Sequence, residues 1–376
     1  MAIGQMTKIE EHFGQITDER RAEGKRHKLI EIIVIAICGI ICGADDWPGI
    51  EEYGISKVKW LESFLELPHG IPSHDTFERV FRKIDPDEFA RSFMGWVKEV
   101  VEVTQGQVIA VDGKVLRGSQ DETKGKAAIH MVSAWAETNH LVLGQRKIDA
   151  KTNEIGAIPE LLKLLDIHGC IVAIDAMGCQ HEIATTIVEG GGEYVLALKE
   201  NQRQLYNDVV ELFAGLAQPD PLPSSTFQTT AKQHGRMETR TCTVISDPAA
   251  IAFLQSGKVW TGLSAVVCIH SKRQNQTESS EHTRYFIASL AVSAERMLQV
   301  VRSRWSIENS LHWVLDIAFQ EDHNRVHKDH GPENLAVLRH VAVNLIKQEK
   351  TLKLGVKNKR LKAAWDNDYL LRVLQN

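Results

Sequence analysis

Two apolar runs in this chain close on an aspartate: "QVIAVDGKVLRGS" at Asp112 and "GCIVAIDAMGCQH" at Asp175. A carboxylate in that place is often only a turn residue or the N-cap of the next helix, and either run alone would carry that reading. The surrounding elements restrict the fold far more. "QVIAVDG", "AAIHMVSAWAE" and "HLVLGQRKID" read as strands, the last two joined by the polar turn "TNH". "EIGAIPELLKLLD" then reads as a helix, "CIVAID" as a strand, "HEIATTIVEGG" as a helix closed by glycines and "EYVLALK" as a strand. The order βββαβαβ predicts three antiparallel strands followed by helix-connected strands parallel to the first, an α/β fold with a mixed sheet covered by helices.

That order resembles ribonuclease-H-like domains, whose first and fourth strands lie side by side at the sheet centre. The resemblance implies that Asp112 and Asp175 meet. Two carboxylates about 4 Å apart repel by roughly 4 kcal/mol at an effective dielectric of 20, so the pair shares a proton or binds a cation. Mg²⁺ suits such a site, because it takes one or two protein carboxylates together with waters and phosphate oxygens. Two such ions hold the attacking and leaving oxygens of an in-line displacement at phosphorus. The expected chemistry is phosphoryl transfer on a nucleic-acid backbone.

Composition sets the frame. A chain of 376 residues, 43% hydrophobic and 25% charged, is globular and long enough for two or three domains. The longest apolar run, Leu29 to Cys42, is interrupted by Glu31 and Gly39 and is too short for a membrane span, so a buried helix is expected there. The amino terminus has early acids and no apolar signal core, which makes the cytoplasm, with the nucleoid, the expected location. Six scattered cysteines without CxxC spacing suit reduced core thiols. The net charge of −5 does not announce nucleic-acid binding, but from Lys347 onward eight Lys and Arg face three acids. Smaller basic clusters stand at Gly24–Lys28, Lys124–Lys126 and Arg325–His330, each also explicable as a solvated face.

Residues 1–105 read as helical. In "IPSHDTFERVFRKID", Ser73 suits an N-cap and Phe77, Val80, Phe81 and Ile84 recur at helical spacing. The exposed His74, Arg79, Arg82 and Lys83 would make this a DNA-recognition helix, or else the polar face of an ordinary amphipathic one. Residues 106–350 would form the catalytic domain, with a β-rich insertion over about 204–290, and 351–376 a basic tail.

The third acid should come from a helix against the sheet. In "SAERMLQVVRSRWSIENSLHWVLDIAF", Ser293 can cap, and Met297, Val301, Arg304, Glu308, Leu311 and Leu315 share one face. An Arg and a Glu on an apolar face are costly unless paired or used, so Arg304 and Glu308 are either a structural i, i+4 bridge or part of the site.

"AVDGKVLRGS", "VAIDAMGCQ", "YVLALKENQ", "HGRMETR" and above all "RSRWSIENSLHWVLDIAFQEDHNR" resemble the H-repeat-associated DDE transposases of bacterial insertion sequences, a branch related to the large IS-four group. The likeness spans nearly the whole chain. It implies that Asp112, Asp175 and Glu308 are the metal-binding catalytic triad, that Mg²⁺ is the cofactor with Mn²⁺ as substitute, and that a dimer acts on double-stranded DNA at paired terminal repeats and target. No membrane and no small-molecule cofactor are implied. The wider group carries Tyr-x-x-Arg-x-x-x-Glu-x-x-x-x-x-x-Lys; here Val301 stands at the Tyr position and Leu315 at the Lys position. Lys114, Lys199 or Arg325 is expected to supply the missing phosphate contact, with Arg117, Arg236 and Arg304 as further DNA contacts. In the related group a β-rich insertion helps form DNA hairpins, and the 133 residues between Asp175 and Glu308 leave room for one. Asp316, Glu321 and Asp322 are alternative third acids, and His323, His327 and His330 fit phosphate contact or a plain loop better than zinc. A nuclease that only hydrolyses, and a decayed copy that binds DNA without cutting, are the alternatives.

Overall fold

The computed structural model describes residues 6–21, 25–100, 105–120, 127–148, 153–233, 236–275 and 279–375. The basic cluster Lys124–Lys126 and Gly24 of the first cluster lie outside them.

Five helices open the chain: α1 (Met6–Phe13), α2 (Leu29–Ile41), α3 (Trp47–Leu61), α4 (His74–Phe81) and α5 (Pro86–Val100). Asp46 caps α3 by accepting from the Gly49 amide at 2.8 Å, and Trp47 stacks on Phe81 with centroids 5.1 Å apart. The long apolar run is α2, buried from Glu31 to Ile41, as expected of a core helix. Among the described residues no helix is long and apolar enough to cross a membrane.

Among the described residues, nine strands form one sheet in the order β3-β2-β1-β4-β5-β9-β8-β7-β6. They are β1 (Val108–Leu116), β2 (Ile129–Ala136), β3 (Leu141–Lys147), β4 (Ile171–Ile174), β5 (Glu193–Leu198), β6 (Ser225–Gln233), β7 (Arg236–Ile245), β8 (Ala265–Gln274) and β9 (Ser279–Ala288). With crossover helices α6 (Glu154–Leu164) and α7 (His181–Glu189), the first five strands have the expected order. β1 is antiparallel to β2 and parallel to β4, and β4 is parallel to β5.

Beyond β5 the chain departs from expectation. The stretch expected as a β-rich insertion opens with a helix, α8 (Arg203–Gly215), and holds a second, α9 (Pro248–Leu254). Its strands also continue the same sheet, because β9 pairs with β5 from Val195↔Ala288 to Leu198↔Tyr285. That pairing covers an edge of β5 that would otherwise present unpaired amides and carbonyls. Val267 and Phe286 of the extension share a core with Val108, Ile171 and Ala173 beneath α10 (Ala294–Arg304).

The chain then continues through α11 (Trp313–Ala318), α12 (Gly331–Gln348), α13 (Val356–Trp365) and α14 (Asn367–Leu374). α12 is buried almost throughout and joins the helices to the sheet. Asn334 donates to the carbonyls of Phe81 at 2.7 Å and Ile84 at 3.0 Å, while Asn344 bonds both the amide and the carbonyl of Val142 on β3. The segment expected as a basic tail is α13 and α14, packed on α12. Two of its cations are buried: Arg360 donates to the Ile40 carbonyl at 2.7 Å and to Asp45 at 2.6 Å, and Lys359 donates to the Ile346 carbonyl at 3.2 Å. Counting charges along the sequence missed this, since a cation that closes a helix C-terminus counts the same as one in solvent.

Candidate active site

Side-chain parity and strand register build the site. On β1, Val108, Ala110, Asp112 and Lys114 share one face, and on β4 Ile171 and Ala173 share the matching one, with Asp175 the first residue after the strand. Val108, Ile171 and Ala173 pack toward α10. The parallel ladder ends with Val111 opposite Ile174, so the next residue of each strand, Asp112 and Asp175, stands beside the other on the α10 side. Asp112 does not end its strand, contrary to the sequence expectation. β1 continues with β2 alone to Leu116, and Asp112 pairs with Ser133. The cleft opens where β4 stops and β1 goes on, outside the carboxyl ends of the parallel strands.

The loop after β4 is braced. Asp175 Oδ1 accepts from the amides of Met177 at 3.1 Å and Gly178 at 3.3 Å, so the turn role and the site role coexist in one residue. Asn201 donates to the Ala176 carbonyl at 2.7 Å and Gln202 to the Cys179 carbonyl at 3.0 Å. The "ENQ" after β5 thus clamps the turn that carries Asp175.

Glu308 arrives on a helix that is not continuous, as the sequence had suggested it would be. After α10 a turn at Trp305 leads into a π-helical turn, Glu308–His312, before α11. Such one-residue insertions reset which side chains face a neighbour. Trp135 Nε1 donates to Ser306 Oγ at 3.1 Å and ties this break to β2.

Asp112, Asp175 and Glu308 line one cleft of about 900 Å³, together with Arg304, Lys199, Asn201, Tyr206, Arg284, Tyr285 and Trp305. Burial pushes Asp112 up to about 7; the Arg304 guanidinium opposes the shift, and Glu308 and Asp175 add to it. Near neutral pH this carboxyl is poised between sharing a proton and taking a cation. Among the described residues no three His, Cys, Asp or Glu side chains are already gathered as a cation cage. The donor set nevertheless fits a hard cation, as three carboxylates face one cleft and one of them is strained by its neighbours' charge.

Arg304 makes no ion pair with Glu308 among the described residues; its guanidinium lies 4.6 Å from the Trp305 ring centroid. Arg284 approaches the same ring at 5.1 Å. The exposed Lys199, at the end of β5, is the other expected phosphate contact that reaches this cleft.

Lys114 does not. Its ammonium bonds Asp316 at 2.5 Å and Glu321 at 2.7 Å and is only 12% exposed, so the expected phosphate contact is corrected to a carboxylate contact. The same pairing removes Asp316 and Glu321 as alternative third acids, and Asp322 lies 3.6 Å from Arg117. Burial alone would raise Glu321, but Lys114 and the buried Arg339 outweigh it and hold it below the usual range. Arg117 and Arg325 are exposed near one another's loops but away from the cleft, and Arg236 is exposed at the start of β7. On β7, Arg240 pairs with Glu238 at 2.5 Å, and the two line a groove of about 950 Å³ with Arg273, Arg284 and Arg302, which adjoins the cleft through Arg284, Phe286 and Trp305. The expected recognition helix ends at Phe81: on α4 and in the turn after it, His74 bonds Glu51 and Arg82 bonds Asp329 at 2.7 Å, leaving Arg79 on the helix and Lys83 in the turn exposed. His323, His327 and His330 form no metal cluster among the described residues.

Two groups escaped the sequence reading. His312, in the π turn, places Nδ1 3.7 Å from Asp112 Oδ2, and burial with the nearby Lys114 pushes its pKa down to about 4, so the imidazole is neutral. Glu154, first in α6, presses its carboxylate against Gly113, where an added Cβ would come within 2.3 Å of Oε1, and burial with the Asp175 charge holds it above the usual range. Neither belongs to a local motif; both are brought in by packing.

Comparison with known proteins agrees with this geometry. Residues 104–345 match the family model of the transposase DDE domain, and residues 10–97 match the DDE_Tnp_1-associated family. "Putative transposase YncI" of Escherichia coli O157:H7 is 39% identical over 367 residues, covering 97% of this chain and 93% of that one. "H repeat-associated putative transposase YhhI" of Escherichia coli K12 is 38% identical over 372 residues, 98% of each. A short relative from the same strain, "Inactive transposase YbfQ", is 37% identical over 76 residues, 20% of this chain and 90% of that one.

Proposed function

The chain belongs to the family of transposases with a DDE domain, and from that premise we propose that it cuts the ends of an insertion sequence and joins the freed 3′ hydroxyl to target DNA. The observation that carries the reading is the convergence of Asp112, Asp175 and Glu308 on one cleft whose walls also hold Lys199 and Arg304. These three carboxylates would hold Mg²⁺, or Mn²⁺ in its place, as two ions. Held there, such ions would supply Lewis-acid charge for the attacking and leaving oxygens.

The chain's own groups do the rest. Asp112 gives up its proton as the cation site fills, because the added positive charge favours the carboxylate. Lys199 and Arg304 hold non-bridging phosphate oxygens, Arg304 through a planar fork that a lysine cannot copy. Leu198, Phe286 and Trp305 form an apolar wall on one side of the cleft and limit the water that competes with a 3′ hydroxyl. Residues 1–105 read the terminal repeats through α4 and the turn after it, with Arg79 and Lys83 the outward cations, and residues 106–350 carry the chemistry. Two copies act on paired ends at the nucleoid.

The test uses the full chain with Mg²⁺ and a duplex bearing the repeats that flank its gene. Nicking at the repeat boundary and joined products are expected from the native protein and neither from Glu308→Gln. Nicks without joining would favour the hydrolytic nuclease, and repeat binding with no cleavage in either cation the decayed copy.

A further inference from the structure

Lys114 stands two residues from Asp112 on the same face of β1 and is tied to two carboxylates far along the chain. Asp316 lies on α11, eight residues after Glu308, and Glu321 lies in the short turn that follows α11. In an unbroken α-helix, residues eight apart are rotated by about 80°, so Glu308 and Asp316 would not face the same strand. The π turn absorbs one residue between them and brings them to within about 20° of each other. One helical segment can then present Glu308 to the cleft and Asp316 to Lys114. His312, between the two, touches Asp112. The far end is fixed as well, because the Arg339 guanidinium on the buried α12 lies 3.6 Å from Glu321.

We propose that Lys114 is a positioning residue: its bridge to Asp316 and Glu321 holds the strand bearing Asp112 in register with the helical turn bearing Glu308. The three carboxylates are thereby preset for a cation. Apolar residues in place of the whole cluster would cost little net stability, because buried ion pairs roughly offset their own desolvation, whereas removing Lys114 alone strands carboxylates that it holds. What such apolar residues could not do is fix the angle and distance between two separately folded elements. The inference rests on the assignment of Asp112, Asp175 and Glu308 as cation ligands.

The test is Mn²⁺ titration of full-length protein by electron paramagnetic resonance, without DNA, alongside binding and cleavage of terminal-repeat duplex. Lys114→Met should bind the duplex within about threefold of native, weaken Mn²⁺ binding by about tenfold or more, as outer-shell variants do, and recover cleavage as Mn²⁺ is raised. Lys114→Arg, which keeps the charge, should restore much of the Mn²⁺ affinity. Unchanged Mn²⁺ affinity in Lys114→Met overturns the proposal, and if duplex binding is lost at the same time, Lys114 holds phosphate instead. Should Lys114→Met fail to fold, Lys114→Met combined with Asp316→Asn removes one of the two stranded charges, Glu321 keeping Arg339 beside it, and is read by the same criteria. Native-like Mn²⁺ binding in Glu308→Gln would sink the ligand assignment itself, an outcome separate from either result at Lys114.

Discussion

Val111 stands opposite Ile174 as the last pair of the parallel ladder between β1 and β4, and the residues that follow them are Asp112 and Asp175. Their adjacency is therefore a property of backbone register. A one-residue slip of either strand would send one carboxylate to the opposite face of the sheet.

Asp112→Asn, Asp175→Asn and Glu308→Gln should each lower cleavage by more than about 100-fold, the upper range for removing an outer-shell partner. Repeat binding and the thermal unfolding temperature should stay near native. Gel assays of nicking, with binding and melting measured in parallel, decide this. Excess chelator should have the same effect on the native chain, and Ca²⁺ should permit binding without turnover. Near-native cleavage in Glu308→Gln would displace Glu308 from the site.

The raised Asp112 carboxyl predicts a pH dependence with a definite sign. Between its ordinary value of 3.8 and about 7, the folded chain keeps a proton that the unfolded chain has released. The unfolded state then binds fewer protons, so the Asp112 contribution to stability falls as pH rises through that window and levels off above it. In cation-free unfolding across pH 4 to 8, the stability of native protein relative to Asp112→Asn should fall with this slope, the pH dependence of other groups being common to both. Mg²⁺ should raise the melting temperature more at pH 8 than at pH 5.5, where a proton competes for the same oxygen.

Arg304 packs on Trp305 and bears on Asp112 electrostatically without an ion pair to Glu308. Arg304→Lys should cost about 1 kcal/mol of stability or less, the scale of an exposed cation and ring contact. Cleavage should fall at least tenfold, because the planar fork is lost. Denaturant unfolding and single-turnover cleavage measure the two effects separately. Equal, small losses in both would reduce Arg304 to a packing residue.

On α4 and the turn that follows it, the outward cations should divide by role. Arg79→Ala and Lys83→Ala should weaken repeat binding and flatten its salt dependence, each removing about one phosphate contact. Arg82→Ala should act mainly through stability, as Arg82 is tied to Asp329. Binding isotherms at several salt concentrations separate these outcomes.

The sheet was legible because alternation, turn residues and helix periodicity agree over β1 to β5, and the carboxylate pair follows from that order. The extension β6 to β9 was legible as strands but not as part of the same sheet, since β5 and β9 are paired across about ninety residues and no local pattern records edge pairing. The π turn was hidden for a different reason. Apolar steps of three and four fit the helix on both sides of it, and one inserted residue leaves each side internally regular. Lys114 was misassigned because a lysine beside a strand carboxylate looks the same in sequence whether it faces phosphate or the distant Asp316 and Glu321.

The Ile40 carbonyl, near the end of α2, takes its partner from Arg360, some 320 residues later in the chain. α2 also leans on α12, so this apolar helix leaves the ribosome well before the segments that cover it. Native closure of the amino-terminal helices must therefore wait for synthesis to pass residue 360. A chain cut before Gly331 would lack both α12 and Arg360 and leave α2 a greasy, uncovered helix, suited to degradation rather than to competing with intact protein for DNA ends.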